Sequence, residues 1–239
     1  MNEVKRGFVP TDSEDFSTES INILHTAGED VYFLLNRDYP LKNAVTFVGN
    51  RYQLSERQRT ALARIISPEK SIISRKEKEL SEKELSGQTV YIDGFNIIIT
   101  LETAFSGSVL FRCMDGTIRD LAGLRGSYRL IDKTDMALQA LADALTELSI
   151  EKAVFYLDKP VSNSGRLKKK ILDSMNDRPF ETEAFTENAV DPILENMENV
   201  ITADAIILDR CSSWFNINDY ILKNTDYFQC IDIFRNRRQ

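Results

Sequence analysis

The sequence predicts a mixed α/β protein: a parallel central sheet with helices on both faces, preceded by a small helical domain. Three observations carry this expectation. From Gly87 onward, short apolar runs alternate with stretches of helical periodicity, the pattern of strands joined by crossover helices. Three of those runs end on an aspartate. Upstream, residues 1–66 space their apolar side chains at helical intervals and show no strand-like alternation.

Taken in order, Ile21, Leu24, Val31, Leu34 and Leu35 mark one amphipathic helix. Pro40 starts a shorter one carrying Leu41, Val45 and Val48. A third begins at Ser55, where "SERQ" is a capping box: the Ser55 hydroxyl accepts from the Gln58 amide while Gln58 reaches back. Leu62, Ile65 and Ile66 supply its apolar face. Three helices this short are stable only if they lean on something else. They define an expected helical domain over residues 1–70. Residues 71–87, with "SRKEKELSEKELSG", are charged and poor in apolar side chains, so they read as a linker or an exposed helix of mixed charge. Residues 88–239 form the expected α/β domain.

Within it, "TVYIDG" is a strand and "SVLFRCMDGTIRDL" a hairpin turning at Met114-Asp115-Gly116. "KTDMALQALADALTELSI" is a long helix with Met136, Leu138, Leu141 and Leu145 inward and Thr134 as cap. "KAVFYLD" is the next strand, "SGRLKKKILDSM" the helix after it, and "PFETEAF" a short strand. "VDPILENME" begins a helix with Pro192 in its first turn. "NVITAD" and "YFQCIDIF" are the last two strands.

Composition narrows the chemistry. At 42% hydrophobic the chain can bury a core, yet no run approaches the ~18 apolar residues of a membrane helix. The opening "MNEVKRGFVPTDSEDF" lacks the apolar stretch of a signal peptide. Three cysteines, far apart and without CxxC, fit a reducing, cytoplasmic setting. The single histidine, His25, lies in a helical pattern as a packing or surface residue. One histidine excludes HExxH and Cys2His2 zinc sites. Hydrolytic chemistry would rest on carboxylates, with Mg2+ or Mn2+ as the natural companion. A net charge of −7 argues against a general electrostatic nucleic-acid binder, though it leaves room for a local basic path.

The strands "VYID", "VFYLD" and "VITAD" end at Asp93, Asp158 and Asp204. In an open parallel sheet such ends share the edge where ligands bind. Carboxylates gathered there repel one another, and a cation relieves the repulsion. Asp191, at a helix start, can reach the same crevice. Any one of these acids taken alone reads as a helix cap or turn former; three at equivalent positions predict a shared acidic site, with Asp158 assigned to orienting the following loop. In that loop Ser162, Asn163 and Ser164 precede a helix carrying Arg166 and Lys168, either a phosphate cradle or ordinary capping beside a solvated basic face. "GLRGSYR" adds Arg125, Tyr128 and Arg129, a clamp for a nucleic-acid strand or a plain loop. Two motifs fail: "CMDGT" has Cys113 where a DxDGT phosphatase needs its nucleophile, and no GxGxxG follows the first strand.

Together "YIDGFNIII", "AVFYLD", "NAVDPIL" and "VITADAIIL" resemble the PIN/NYN-type nuclease superfamily over roughly residues 88–222. The resemblance implies a three-layer α/β/α PIN-like domain. By position it makes Asp93, Asn96, Asp191 and Asp204 catalytic, with Thr202 beside the last acid, and Asp93, Asp191 and Asp204 as ligands of one or two Mg2+ or Mn2+ ions. The superfamily's mid-domain helical acid has Glu102 as its nearest counterpart. The whole chain is also similar to an uncharacterised two-part family of domains of unknown function, through "VGNRYQLSERQRTALAR" in the helical part and "PVSNSGRLKKKI" in the second. Arg51, Arg57, Arg59 and Arg64 of the helical part are either RNA or DNA contacts or a solvated face. The expected function is a metal-dependent endonuclease acting on RNA, with Asp158, Ser162, Asn163, Ser164, Arg166, Lys168, Arg125, Arg129 and Thr202 in substrate binding. A non-catalytic RNA-binding module on the same fold and a small-molecule phosphohydrolase are the alternatives. RNA is the expected partner, a membrane is not, and a homodimer stays open.

Overall fold

A computed structural model describes residues 4–123, 126–223, 228 and 230–235. The chain opens with α1 (Asp12–Asp15), α2 (Thr18–Leu35), α3 (Leu41–Arg51) and α4 (Glu56–Ile65). Local chemistry sets their starts. Ser17 accepts from the Ser20 amide at the head of α2, Pro40 sits just before α3, and both arms of the Ser55–Gln58 capping box form. His25 packs its ring 5.6 Å from that of Phe234.

These helices do not close on themselves. Leu24, Val31, Val48, Leu62 and Ile65 share one core with Phe111, Cys113, Ile231 and Phe234 from later in the chain. The charged stretch is folded as α5 (Glu69–Glu77) and α6 (Glu82–Leu85). Its Arg75 is only 2% exposed, and α5 packs on a helix near the end of the α/β region.

That region runs β1 (Thr89–Asp93), α7 (Gly94–Phe105), β2 (Leu110–Arg112), β3 (Ile118–Asp120), α8 (Asp132–Glu147), β4 (Lys152–Asp158), α9 (Ser164–Met175), β5 (Glu181–Glu187), α10 (Asp191–Leu194), β6 (Val200–Ile201), α11 (Ala205–Arg210), α12 (Ile217–Leu222) and β7 (Cys230–Ile231). Four strands form a wholly parallel sheet in the order β5-β4-β1-β6. Val90 and Ile92 of β1 pack into the core that also holds residues of α7, α8 and α9. Tyr91 packs instead with Leu194, Ile207 and Leu208 of α10 and α11, so helices cover both faces. No loop separates β1 from α7. Gly94 permits this, because a Cβ there would lie 2.7 Å from Leu157 Cδ2 and 3.1 Å from the Tyr156 carbonyl.

Several elements depart from the sequence expectation. β2 and β3 form the hairpin, turning through Met114-Asp115-Gly116 with Gly116 at φ 87°, but they belong to a second sheet, β3-β2-β7. The last strand joins that sheet, parallel to β2, as two residues. Met136 is 47% exposed; it lies about 200° around α8 from Leu138, which faces the core. Thr134 caps from within the first turn, its hydroxyl accepting the Ile131 amide at 3.0 Å. β6 stops at Ile201, because side chains rather than a neighbouring strand satisfy the next residues: Asn96 Oδ1 accepts the Ala203 amide at 2.8 Å. Among the described residues no helix is long and apolar enough to cross a membrane.

Candidate functional site

Strand register places the acids. Asp93 stands opposite Tyr156, so Asp158 lies two residues further along β4. Ile92 stands opposite Ile201, so Asp204 lies a similar distance beyond β6. Asp191 heads α10, which follows β5. Asp93, Asp158, Asp191 and Asp204 thus line one pocket of about 340 Å³ with Asn96, Phe95 and Val161. It occupies the carboxyl edge of the sheet, where open α/β folds bind ligands. Wider clefts of about 500 and 590 Å³ lie elsewhere, but no strand-end acid of the central sheet lines either.

The acids are also caps, so the structural role and the pocket coexist. Asp93 heads α7, its Oδ1 accepting the Asn96 amide at 3.4 Å, while its Oδ2 accepts the Thr202 hydroxyl at 3.0 Å. Asp204 heads α11, with Oδ1 accepting from Ile206 and Ile207. Thr202 Oγ1 in turn accepts the Asp204 amide at 3.0 Å, so one hydroxyl couples two of the acids. Asp158 Oδ1 accepts the Val190 amide at 3.3 Å and so ties the end of β4 to the residue before Asp191.

Burial pushes the Asp93 carboxyl up, the Thr202 hydroxyl opposes this, and the charges of Asp204 and Asp191 add to it; the result is a value raised to about 7. Asp191, at the exposed rim, is raised by partial burial and then by Asp204 and Asp158. Asp158 is raised by burial against the opposing Val190 amide. Gathered carboxylates that resist ionisation are the electrostatic complement of a cation.

The donors are all oxygen, which suits a hard ion such as Mg2+ or Mn2+. Asp204 Oδ2 and Asp158 Oδ2 make no hydrogen bond among the described residues. Among those residues no three acids stand close enough to form a ready-made cage. The four aspartates thus line one pocket with oxygen donors of the kind a hard ion takes, without forming a preassembled cage.

The remaining sequence candidates lie outside this pocket. Ser162 Oγ accepts the Tyr128 amide at 3.1 Å and Asn163 Nδ2 donates to the Tyr128 carbonyl at 2.6 Å. Ser164 Oγ donates to the Lys159 carbonyl at 3.3 Å. The first two pin this loop to the one that carries Tyr128, and the third closes the loop on itself. Arg166 is exposed, and Lys168 Nζ sits 6.0 Å from the Phe185 ring centre. Arg129 is exposed and its carbonyl accepts from Arg6; Arg125 lies outside the described residues. Glu102 is a correction: fully buried, it accepts from Tyr128, Thr134 and Arg6, which makes it a core anchor distant in role from the pocket.

One charged lining residue, Asp120, escaped the sequence reading, and a second, Arg64, was named there without being linked to the acids. Asp120 ends β3 as "TIRD", the same ending that marked the other strands, but it sits on the second sheet. Its oxygens accept from Thr100 and Ala122. Arg64 comes from α4; nothing local distinguishes it from the other arginines of the helical part.

The sequence matches the family described as "Domain of unknown function (DUF5616)" over residues 82–220 and "Protein of unknown function (DUF434)" over residues 23–78. It is 38% identical over 185 residues to "Uncharacterized protein MJ0935" of Methanocaldococcus jannaschii, spanning 77% of this chain and 88% of that protein. No solved structure matches.

Proposed function

The chain belongs to the DUF5616 family, whose matched span holds every aspartate of the pocket, and from that pocket we propose a metal-dependent endonuclease that hydrolyses phosphodiester bonds in RNA on a PIN-like fold. One observation carries the reading: Asp93, Asp158, Asp191 and Asp204, distant in sequence, meet at the carboxyl edge of one parallel sheet. Asp93, Asp191 and Asp204 would hold one or two Mg2+ or Mn2+ ions. Such an ion supplies an activated water and neutralises charge on the phosphoryl group.

The protein's own residues prepare the site. Asn96 accepts the Ala203 amide and Thr202 donates to Asp93; together they hold the segment that carries Asp204. Burial and the neighbouring acids raise the Asp93 carboxyl to about 7, so a bound cation would favour its ionised form, which the Thr202 hydroxyl and the Asn96 amide already orient. Phe95 and Val161 give the pocket an apolar wall, which strengthens charge interactions inside it.

The test is cleavage of single-stranded and structured RNA with Mn2+, beside Asp93→Asn and Asp204→Asn. Loss of cleavage in both variants is expected; cleavage that survives both overturns the assignment. A second reading, a non-catalytic RNA-binding module, is favoured by the engagement of both Asp93 oxygens in protein hydrogen bonds. It requires a silent Mn2+ titration and an RNA affinity that Asp93→Asn leaves unchanged.

A further inference from the structure

An acidic pocket repels a phosphate, so a site that works on phosphate needs a fixed cation to admit it. Of the four arginines singled out in the helical part, three are accounted for elsewhere. Arg57 is bound to Asp12 and to the Gly7 and Leu121 carbonyls. Arg59 is bound to Leu54, Thr46 and Asn50, and Arg51 lies 5.6 Å over the ring of Tyr52. Arg64 is different. It lines the same pocket as the aspartates, and among the described residues its guanidinium makes no hydrogen bond or ion pair.

Its backbone is nonetheless held. The Arg64 carbonyl accepts from Arg119 Nη1 at 2.6 Å and from the Cys113 thiol at 3.4 Å. The same Arg119 guanidinium donates through Nε to the Ala203 carbonyl at 2.7 Å, one residue before Asp204. Its Nη2 pairs with Asp115 at 2.7 Å, and Asp115 also receives Arg75 at 2.6 Å. A buried fork therefore ties the backbone of Arg64 to that of Ala203, so the helix that carries the arginine is anchored beside the segment that carries Asp204.

We infer that the pocket is a composite of the two matched regions, in which Arg64 of the helical part binds the phosphate group of the ligand while the aspartates of the α/β part face it. This rests on the reading above for the ligand's phosphate chemistry. A guanidinium presents paired donors that match phosphate oxygens, and Arg119 ties the backbone that carries it to Ala203, next to Asp204.

The full-length protein, without metal, is titrated with a labelled oligouridylate and, separately, with inorganic phosphate. Arg64→Ala is expected to weaken oligouridylate binding about tenfold and to lower the slope of log K against log salt by about 0.7. Arg64→Lys is expected to keep the slope. Because the guanidinium has no partner among the described residues, both variants should melt with the wild type; the Lys variant guards against a folding defect in the Ala variant. An effect on inorganic phosphate alone also supports the inference, with a small phosphate ester as the source. Unchanged binding of both probes by Arg64→Ala overturns it. The metal-free format separates this from the nuclease reading, whose failure is an absence of Mn2+-dependent cleavage.

Discussion

Asp93 and Asp115 are both buried acids, 8% and 5% exposed, and they behave in opposite ways. Burial acts to raise both. At Asp115 it is outweighed by Arg119, Thr117 and Arg75, which hold the carboxyl below its usual range. At Asp93 only a hydroxyl and an amide help, while Asp204 and Asp191 add repulsion, so the carboxyl rises to about 7. A buried acid between two guanidiniums is a completed structural joint. A buried acid among other acids is incomplete and is stabilised by whatever cation or proton arrives.

The contrast can be tested, beginning where the effect is largest. Asp115→Ala leaves Arg75 and Arg119 buried without their shared partner, so urea denaturation should show a loss of about 3–5 kcal/mol. A loss under about 1 kcal/mol would mean the joint is not structural. Asp93→Asn should do the reverse at high pH. A carboxyl raised in the folded state contributes stability that is complete below its unfolded value and is lost as pH rises through about 7. At pH 8 the substitution should therefore stabilise the metal-free protein by up to about 4 kcal/mol. At pH 4 the gain should vanish, and equal effects at both values would refute the raised carboxyl.

Added Mn2+ should raise the melting temperature at pH 8 and much less at pH 5, where protons compete for Asp93. At a hundredfold excess over its dissociation constant the stabilisation is about 2.7 kcal/mol. Asp204→Asn should remove most of it, and a pH-independent effect would place the ion elsewhere. The smallest effect belongs to Tyr128→Phe, which deletes one hydrogen bond to Glu102 and should cost about 1–2 kcal/mol. Binding of oligouridylate should not change; a change would return Glu102 to the site.

The two joints differed equally in how much of them could be read from sequence. Asp93, Asp158 and Asp204 were legible because each ends an apolar run, and parallel strands align such ends without further information. The Ser55–Gln58 capping box was legible because its partners are three residues apart. Asp120 carried the same strand-end signal but lay on a sheet that the alternation of strands and helices does not announce. Arg75 was hidden in a charged stretch that reads as solvated, and its partner Asp115 is 40 residues away.

By itself, then, the sequence determined the helical beginning, the parallel sheet and the edge to which its acids point, since these follow from periodicity and from bonds between near neighbours. Only the tertiary structure decided that the helical part shares a core with the second sheet, that Asp115 gathers Arg75 and Arg119, and that Arg64 meets the aspartates. Those outcomes depend on pairs such as Arg119 with Ala203, 84 residues apart. Their formation is governed by packing across the whole chain, which no local pattern records.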